Sequence, residues 1–175
     1  MANGPTLITT TTVGSATPSV TFGTISQSYS DLYIIGSMRN SANNDGALVR
    51  FNGSSSSIYY ERSLYSSGSA AGAQITGAGA AQTQFLGYGN MTPSTYTANG
   101  YSNFSIYIPN YSGTIIQKAA TQFGTAENNA TGVTLYQWIW TWASTAAINS
   151  ITFTAGSSGN IAAGSVISLY GITKA

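Results

Sequence analysis

A chain of 175 residues in which only 5% are charged and 42% are hydrophobic has the opposite balance to a disordered polymer, and it is expected to fold. A net charge of +1, with its Lys and Arg spread from Arg39 to Lys174, excludes the basic stripe that phosphate contacts require, so nucleic acid is not an expected partner. The absence of Cys and His removes disulfides, thiolate chemistry, the usual general base and the commonest transition-metal ligands together.

Strand signals follow one another along the chain, as short β-branched or aromatic runs separated by Gly, Ser and Asn clusters. They predict strands over Leu7 to Val13, Ser19 to Ile25, Asp31 to Met38, Ala47 to Phe51, Ser57 to Tyr65, Thr83 to Leu86, Ser102 to Ile108, Ile115 to Gln122, Thr131 to Trp142, Ala147 to Phe153 and Val166 to Gly171. No window carries a helical apolar period. The fold class is therefore all-β, a two-sheet antiparallel β-sandwich, in one domain spanning residues 1–175. Residues 1–13 read as a first strand or as an extended N-terminal segment available for docking.

Turn residues punctuate the strands. Asn43-Asn44-Asp45-Gly46 and Asn52-Gly53 supply the positive φ that hairpins need, and Pro109-Asn110 closes the strand ending at Ile108. The stretch Ser66 to Ala81, with Ile75 its one bulky apolar residue, reads as a long connection or as a strand packed closely on a neighbour. Met1-Ala2-Asn3-Gly4-Pro5 carries no basic residue before an apolar run, and no run of about 18 apolar residues occurs. The expectation is a protein made in the cytoplasm and neither secreted nor membrane-spanning, in which sequons such as Asn110-Tyr111-Ser112 carry no weight.

Candidate chemistry is sparse. Asp31, Asp45, Glu61 and Glu127 are the only carboxylate side chains from which a glycosidase pair could be drawn. Asp45 falls in a turn and Glu127 in the Ala126 to Ala130 loop, so no catalytic residue is assigned and the chain is not expected to be an enzyme. No cofactor is expected. A calcium site at Asn43, Asn44 and Asp45 has too few carboxylates for an ion that takes about six to eight oxygens. Asp31 near Arg39, and Glu61 near Arg50 and Arg62, read as ion pairs that fix strand pairing, or else as a polar binding site. With no His and few carboxylates, stability is expected to be nearly flat from about pH 6 to 9.

The most informative run is Thr131 to Ala143. As a strand it places Tyr136, Trp138, Trp140 and Trp142 on one face and Val133, Leu135, Gln137, Ile139 and Thr141 on the other. Both faces are apolar, so both must be covered: one by the core, the other by a second subunit, a stacked sugar or a loop. Tyr136, Trp138 and Trp140 are the candidate interface or ligand face, while Trp142 and Phe153 are expected in the core.

Several phrases carry a likeness to a known family: Tyr29-Ser30-Asp31-Leu32 leading to Met38-Arg39, Val49-Arg50-Phe51-Asn52-Gly53, Ile106-Tyr107-Ile108-Pro109-Asn110-Tyr111, Trp142-Ala143-Ser144 with Ile148 to Phe153, and Gly164-Ser165 leading to Ser168-Leu169-Tyr170-Gly171-Ile172. Over nearly its whole length the chain resembles small β-sandwich virion proteins of tailed bacteriophages. The resemblance implies a jelly-roll-like fold that tends to be trimeric, found in stand-alone virion components and in terminal domains of tail fibres. It supplies no catalytic residues. Met1 close to the first strand favours a stand-alone product, and so a capsid decoration or cement protein on the virion surface, bound to the major capsid protein through Leu7, Ile8 and Val13. The alternative is a tail-associated receptor-binding module that recognises host-surface carbohydrate.

Overall fold

The computed structural model describes residues 4–44, 46–66, 74–76, 81–127, 132–156 and 158–173. They form strands β1 (Thr6–Thr12), β2 (Ser19–Phe22), β3 (Asp31–Met38), β4 (Gly46–Phe51), β5 (Tyr59–Ser66), β6 (Gln74–Thr76), β7 (Phe85–Tyr88), β8 (Ser102–Ile108), β9 (Lys118–Glu127), β10 (Val133–Trp142), β11 (Ile151–Ala155) and β12 (Val166–Ile172).

The pairings are antiparallel and nested: β1 with β12, β2 with β11, β3 with β8 and β4 with β7. Side-by-side pairing of β12 with β3 and of β11 with β4 turns these pairs into two sheets. Two hairpins, β5–β6 and β9–β10, join the same sheet through β8–β9 and β10–β5. The result is a sandwich of one eight-stranded sheet, β1-β12-β3-β8-β9-β10-β5-β6, and one four-stranded sheet, β2-β11-β4-β7.

Period-two alternation explains the layering. Leu32, Ile34 and Met38 of β3, with Ile106 and Ile108 of β8, point inward and meet Val49 and Phe51 of β4 and Ile151 and Phe153 of β11; all are buried. An aromatic cluster joins the sheets. The Phe85 ring stacks on Trp140 with centroids 4.6 Å apart, and Phe51 meets Trp142 edge to face at 5.7 Å.

Most expected strands are present, with four corrections. The expected strand Ile115 to Gln122 instead runs Lys118–Glu127, leaving Ile115 and Ile116 in an exposed turn. The Ile pair gives the stronger local signal, but ten residues of pairing to β10 fix the real strand in an Ala, Thr and Gly sequence of low propensity. Glu127 accordingly ends β9 rather than lying in a loop. The strand expected from Ala147 begins at Ile151, because the Ile148 N–H is taken by the Tyr111 carbonyl at 2.8 Å. Asn52 and Gly53 do have positive φ, 54° and 64°, yet the turn carries the chain from the four-stranded sheet to the eight-stranded one rather than closing a hairpin. In the stretch Ser66 to Ala81 the structure shows the end of β5 at Ser66, the short strand β6, and Ala81, while residues 67–73 and 77–80, like Asp45, lie outside the described residues.

Candidate functional site

Four of the scarce charges act as staples on the protein's own backbone. The Arg39 guanidinium donates to the carbonyls of Ser94, Tyr96, Thr97 and Gly100 at 2.6 to 3.1 Å and so gathers the connection between β7 and β8. Lys118 is 1% exposed; its Nζ donates to the carbonyls of Ile116 and Thr145, and burial lowers its pKa. Asp31 accepts hydrogen bonds from the Asn110 N–H at 2.9 Å and the Tyr107 hydroxyl at 2.7 Å. These contacts replace the expected Asp31–Arg39 pairing with two separate loop anchors. The Asn side chains of the calcium candidate are likewise engaged, Asn44 Oδ1 by the Gly46 N–H and Asn43 Oδ1 by the Thr95 hydroxyl.

Glu61 is the fourth staple. It points inward from β5, 4% exposed, and its Oε2 accepts the Leu86 N–H of edge strand β7 at 2.9 Å. Gln122 Nε2 and Trp138 Nε1 both donate to the Tyr88 carbonyl of the same edge, each at 3.1 Å. Side chains of the large sheet thus occupy the backbone groups that an edge strand otherwise leaves free. Burial, against only the opposing Leu86 hydrogen bond, raises the Glu61 pKa to about 7. The expected ion pair of Glu61 is therefore corrected to a hydrogen bond with the backbone, and a carboxyl that titrates near neutrality argues against a flat stability profile there. The side chain faces the interior, and among the described residues the open grooves lined by Thr11 to Thr21 and by Asn44, Leu48, Leu86 and Tyr88 have no carboxylate in their walls.

The opposite side of the sandwich is open. There β1 and β2 flank a groove of about 520 Å³ walled by Thr11, Thr12, Thr17, Ser19 and Thr21. Among the described residues β1 is an edge strand that pairs with β12, with a register shift between Leu7 and Thr9, and its sequence Thr-Leu-Ile-Thr-Thr-Thr-Thr contains no charge and no proline, the residues that usually protect edges. Of the docking candidates, Leu7 is 54% exposed and Ile8 is half-buried against the core. Val13 is not available: it is 4% exposed and held by backbone hydrogen bonds to Gly164 and Ser165, because it seals the core where β1 ends.

The two faces of β10 are now assigned. Trp138, Trp140 and Trp142 lie inside the sandwich, 2%, 0% and 3% exposed, so Trp138 and Trp140 are corrected from interface candidates to core. Tyr136 is half-buried and stacks on Tyr65 at 5.5 Å. The face left uncovered is the other one: Val133, Leu135 and Ile139, joined by Phe123 of β9 and by Tyr60 and Leu64 of β5. Phe123, Leu64 and Tyr60 were missed by sequence reasoning. The available signal was that β9 alternates small or polar residues, Ala120, Gln122 and Gly124, against Phe123, so its large apolar side chain goes outward.

Searches of family models, of curated proteins and of solved structures find no match to this chain. The functional reading therefore rests on the free β1 edge and on the uncovered β9-β10-β5 face.

Proposed function

We propose that the protein is a structural component of a tailed-bacteriophage virion, a capsid decoration protein that binds the major capsid lattice and associates with itself as a trimer. The strand order supports a jelly-roll-like reading. A jelly roll is a long antiparallel ribbon wound so that its nested pairs divide between two facing sheets. With β5, β6, β9 and β10 set aside, the remaining orders β1-β12-β3-β8 and β2-β11-β4-β7 follow that rule. The two extra hairpins are insertions that widen one sheet only.

The observation that carries docking is the uncharged, proline-free β1 edge, regular from Thr9 to Thr12. A seven-residue, uncharged edge strand can add to an extended segment of a shell subunit by main-chain hydrogen bonds that ask little of side-chain fit. The lattice repeats that contact many times, so modest single-site affinity suffices. The tail-module alternative drew on an aromatic ladder for sugar stacking, and that ladder's Trp rings are inside the core.

The test is addition of purified protein to shells that lack it, followed by sedimentation. Binding that saturates at a copy number set by the capsid lattice is expected, and Thr9→Lys with Thr12→Lys, at two exposed edge positions, abolishes it without moving the thermal midpoint. Unchanged binding by that variant removes β1 from the reading. Binding to tails or host polysaccharide instead of shells removes decoration.

A further inference from the structure

We infer that the outer face of β9, β10 and β5 is the self-association surface, and that the β5 flank of one copy lies on the β9 flank of the next around a rotation axis parallel to β10. This deepens the self-association in the proposed function and is tested without any capsid.

Three observations lead to a second copy of this chain. The first is size. Tyr60, Leu64, Phe123, Val133, Leu135 and Ile139 are each 44% to 66% exposed and together leave on the order of 500 Å² of apolar surface in water, at the upper end for a soluble monomer. With the Thr and Gln side chains between them, the face approaches the roughly 800 Å² per partner of a stable interface.

The second is charge. Residues that meet their own copies near a rotation axis must be uncharged, and the outward ridge of β10, Val133, Leu135, Gln137, Ile139 and Thr141, is. Gln137 stands mid-ridge, and its carboxamide, a donor and an acceptor at once, has no hydrogen-bond partner among the described residues. Arg62 lies off the ridge, on β5.

The third is register. Rotation about an axis along β10 brings residues of equal height together, β5 of one copy against β9 of the next. The rows give Leu64 and Phe123 level with Gln137, Arg62 and Thr121 level with Ile139, and Tyr60 and Ala119 level with Thr141. Across the junction these rows set Leu64 on Phe123, Arg62 on Thr121 and a large Tyr60 on a small Ala119. No row opposes like charges.

The experiment uses the chain's lack of cysteine. Leu64→Cys and Phe123→Cys are introduced together and oxidised in dilute solution. Within one chain these positions flank β10, two strand spacings or about 9.5 Å apart, and a disulfide spans at most about 7 Å between Cα atoms, so any bond must join two copies. The expected result is a covalent ladder that requires both cysteines and closes at a trimer. A ladder closing at a dimer supports the β5-on-β9 contact and overturns the trimeric order in the proposed function. Chains that stay monomeric, that link as readily with either cysteine alone, or that link only on shells overturn the inference and leave capsid docking intact. Light scattering of Ile139→Lys gives an independent reading: loss of assembly with an unchanged thermal midpoint is expected, and retained assembly refutes the surface.

Discussion

Replacing Glu61 by Gln isolates the cost of a buried carboxylate. Folding moves this group from an ordinary value of 4.5 to about 7, because the charged form loses water and gains only the Leu86 N–H. Between those values the folded protein holds a proton that the unfolded chain has released. Stability is therefore greatest below pH 4.5 as far as Glu61 is concerned, falls as pH rises through about 7, and stays low above it. A separation of about 2.5 pH units corresponds to about 3 kcal/mol at pH 8. Gln keeps the acceptor for Leu86 and carries no charge, but its NH₂ replaces Oε1, which has no hydrogen-bond partner, so about 1 kcal/mol of the gain is returned. Urea unfolding followed by Trp fluorescence is the assay. Glu61→Gln is expected to be more stable than the parent by about 2 kcal/mol at pH 8, roughly 4 to 8 °C in thermal midpoint, and no more stable at pH 5. Parallel pH profiles for parent and variant between pH 5 and 8 refute the assignment of an interior carboxyl that titrates at about 7.

Three further outcomes follow from the packing. Trp140→Ala removes a fully buried ring stacked on Phe85 and is expected to lower unfolding free energy by about 3–5 kcal/mol, read from the urea midpoint. Gly124→Ala places a Cβ 2.6 Å from the Gly89 carbonyl oxygen, a backbone atom that cannot swing aside, and is expected to cost about 1–3 kcal/mol by the same measurement. Arg39→Met leaves the carbonyls of Ser94, Tyr96, Thr97 and Gly100 without their shared donor, so limited proteolysis should cut within residues 94–100 faster than in the parent while the aromatic core keeps its fluorescence.

Strands with one clearly apolar face were legible in the sequence. Asp31–Met38 and Ser102–Ile108 match to the residue because Leu32, Ile34, Met38, Phe104, Ile106 and Ile108 recur at every second position on one face, with Gly36 filling the gap in the first. The ion-pair expectation failed for a different reason. In a chain with so few charges, proximity in sequence looked like pairing, whereas Arg39, Lys118, Asp31 and Glu61 each serve backbone groups that lie far along the chain. No local pattern encodes a carbonyl 61 residues away, such as that of Gly100 bound by Arg39. The nested pairing was illegible for the same reason, since β1 and β12 pair residues as distant in sequence as Thr6 and Gly171.

The face of β10 that needs a partner could not be chosen from β10 alone. Period two separates the Trp set from the Leu and Ile set, and either makes a good core by hydrophobicity. The choice is made on β9, whose inward residues opposite Trp138 and Trp140 are Gln122 and Ala120. A small side chain beside Trp140 leaves room for the indole, and an amide beside Trp138 joins it in capping the Tyr88 carbonyl. A Val or Leu at position 120 would instead crowd the ring, and an apolar residue at 122 would leave the edge of β7 less protected. Once the Trp set is committed inward, Val133, Leu135 and Ile139 must face out, and the same alternation sends Phe123 out beside them. The large interior rings and the uncovered exterior face are thus two consequences of one choice of small and polar residues on β9. Loss of that choice predicts a double effect: Ala120→Leu should lower the unfolding free energy through overpacking by about 1–3 kcal/mol, read from the urea midpoint, and, by tilting β10, weaken self-association measured by light scattering. A variant that loses stability yet assembles as tightly as the parent would show that the interior packing and the outer face are not coupled through β10.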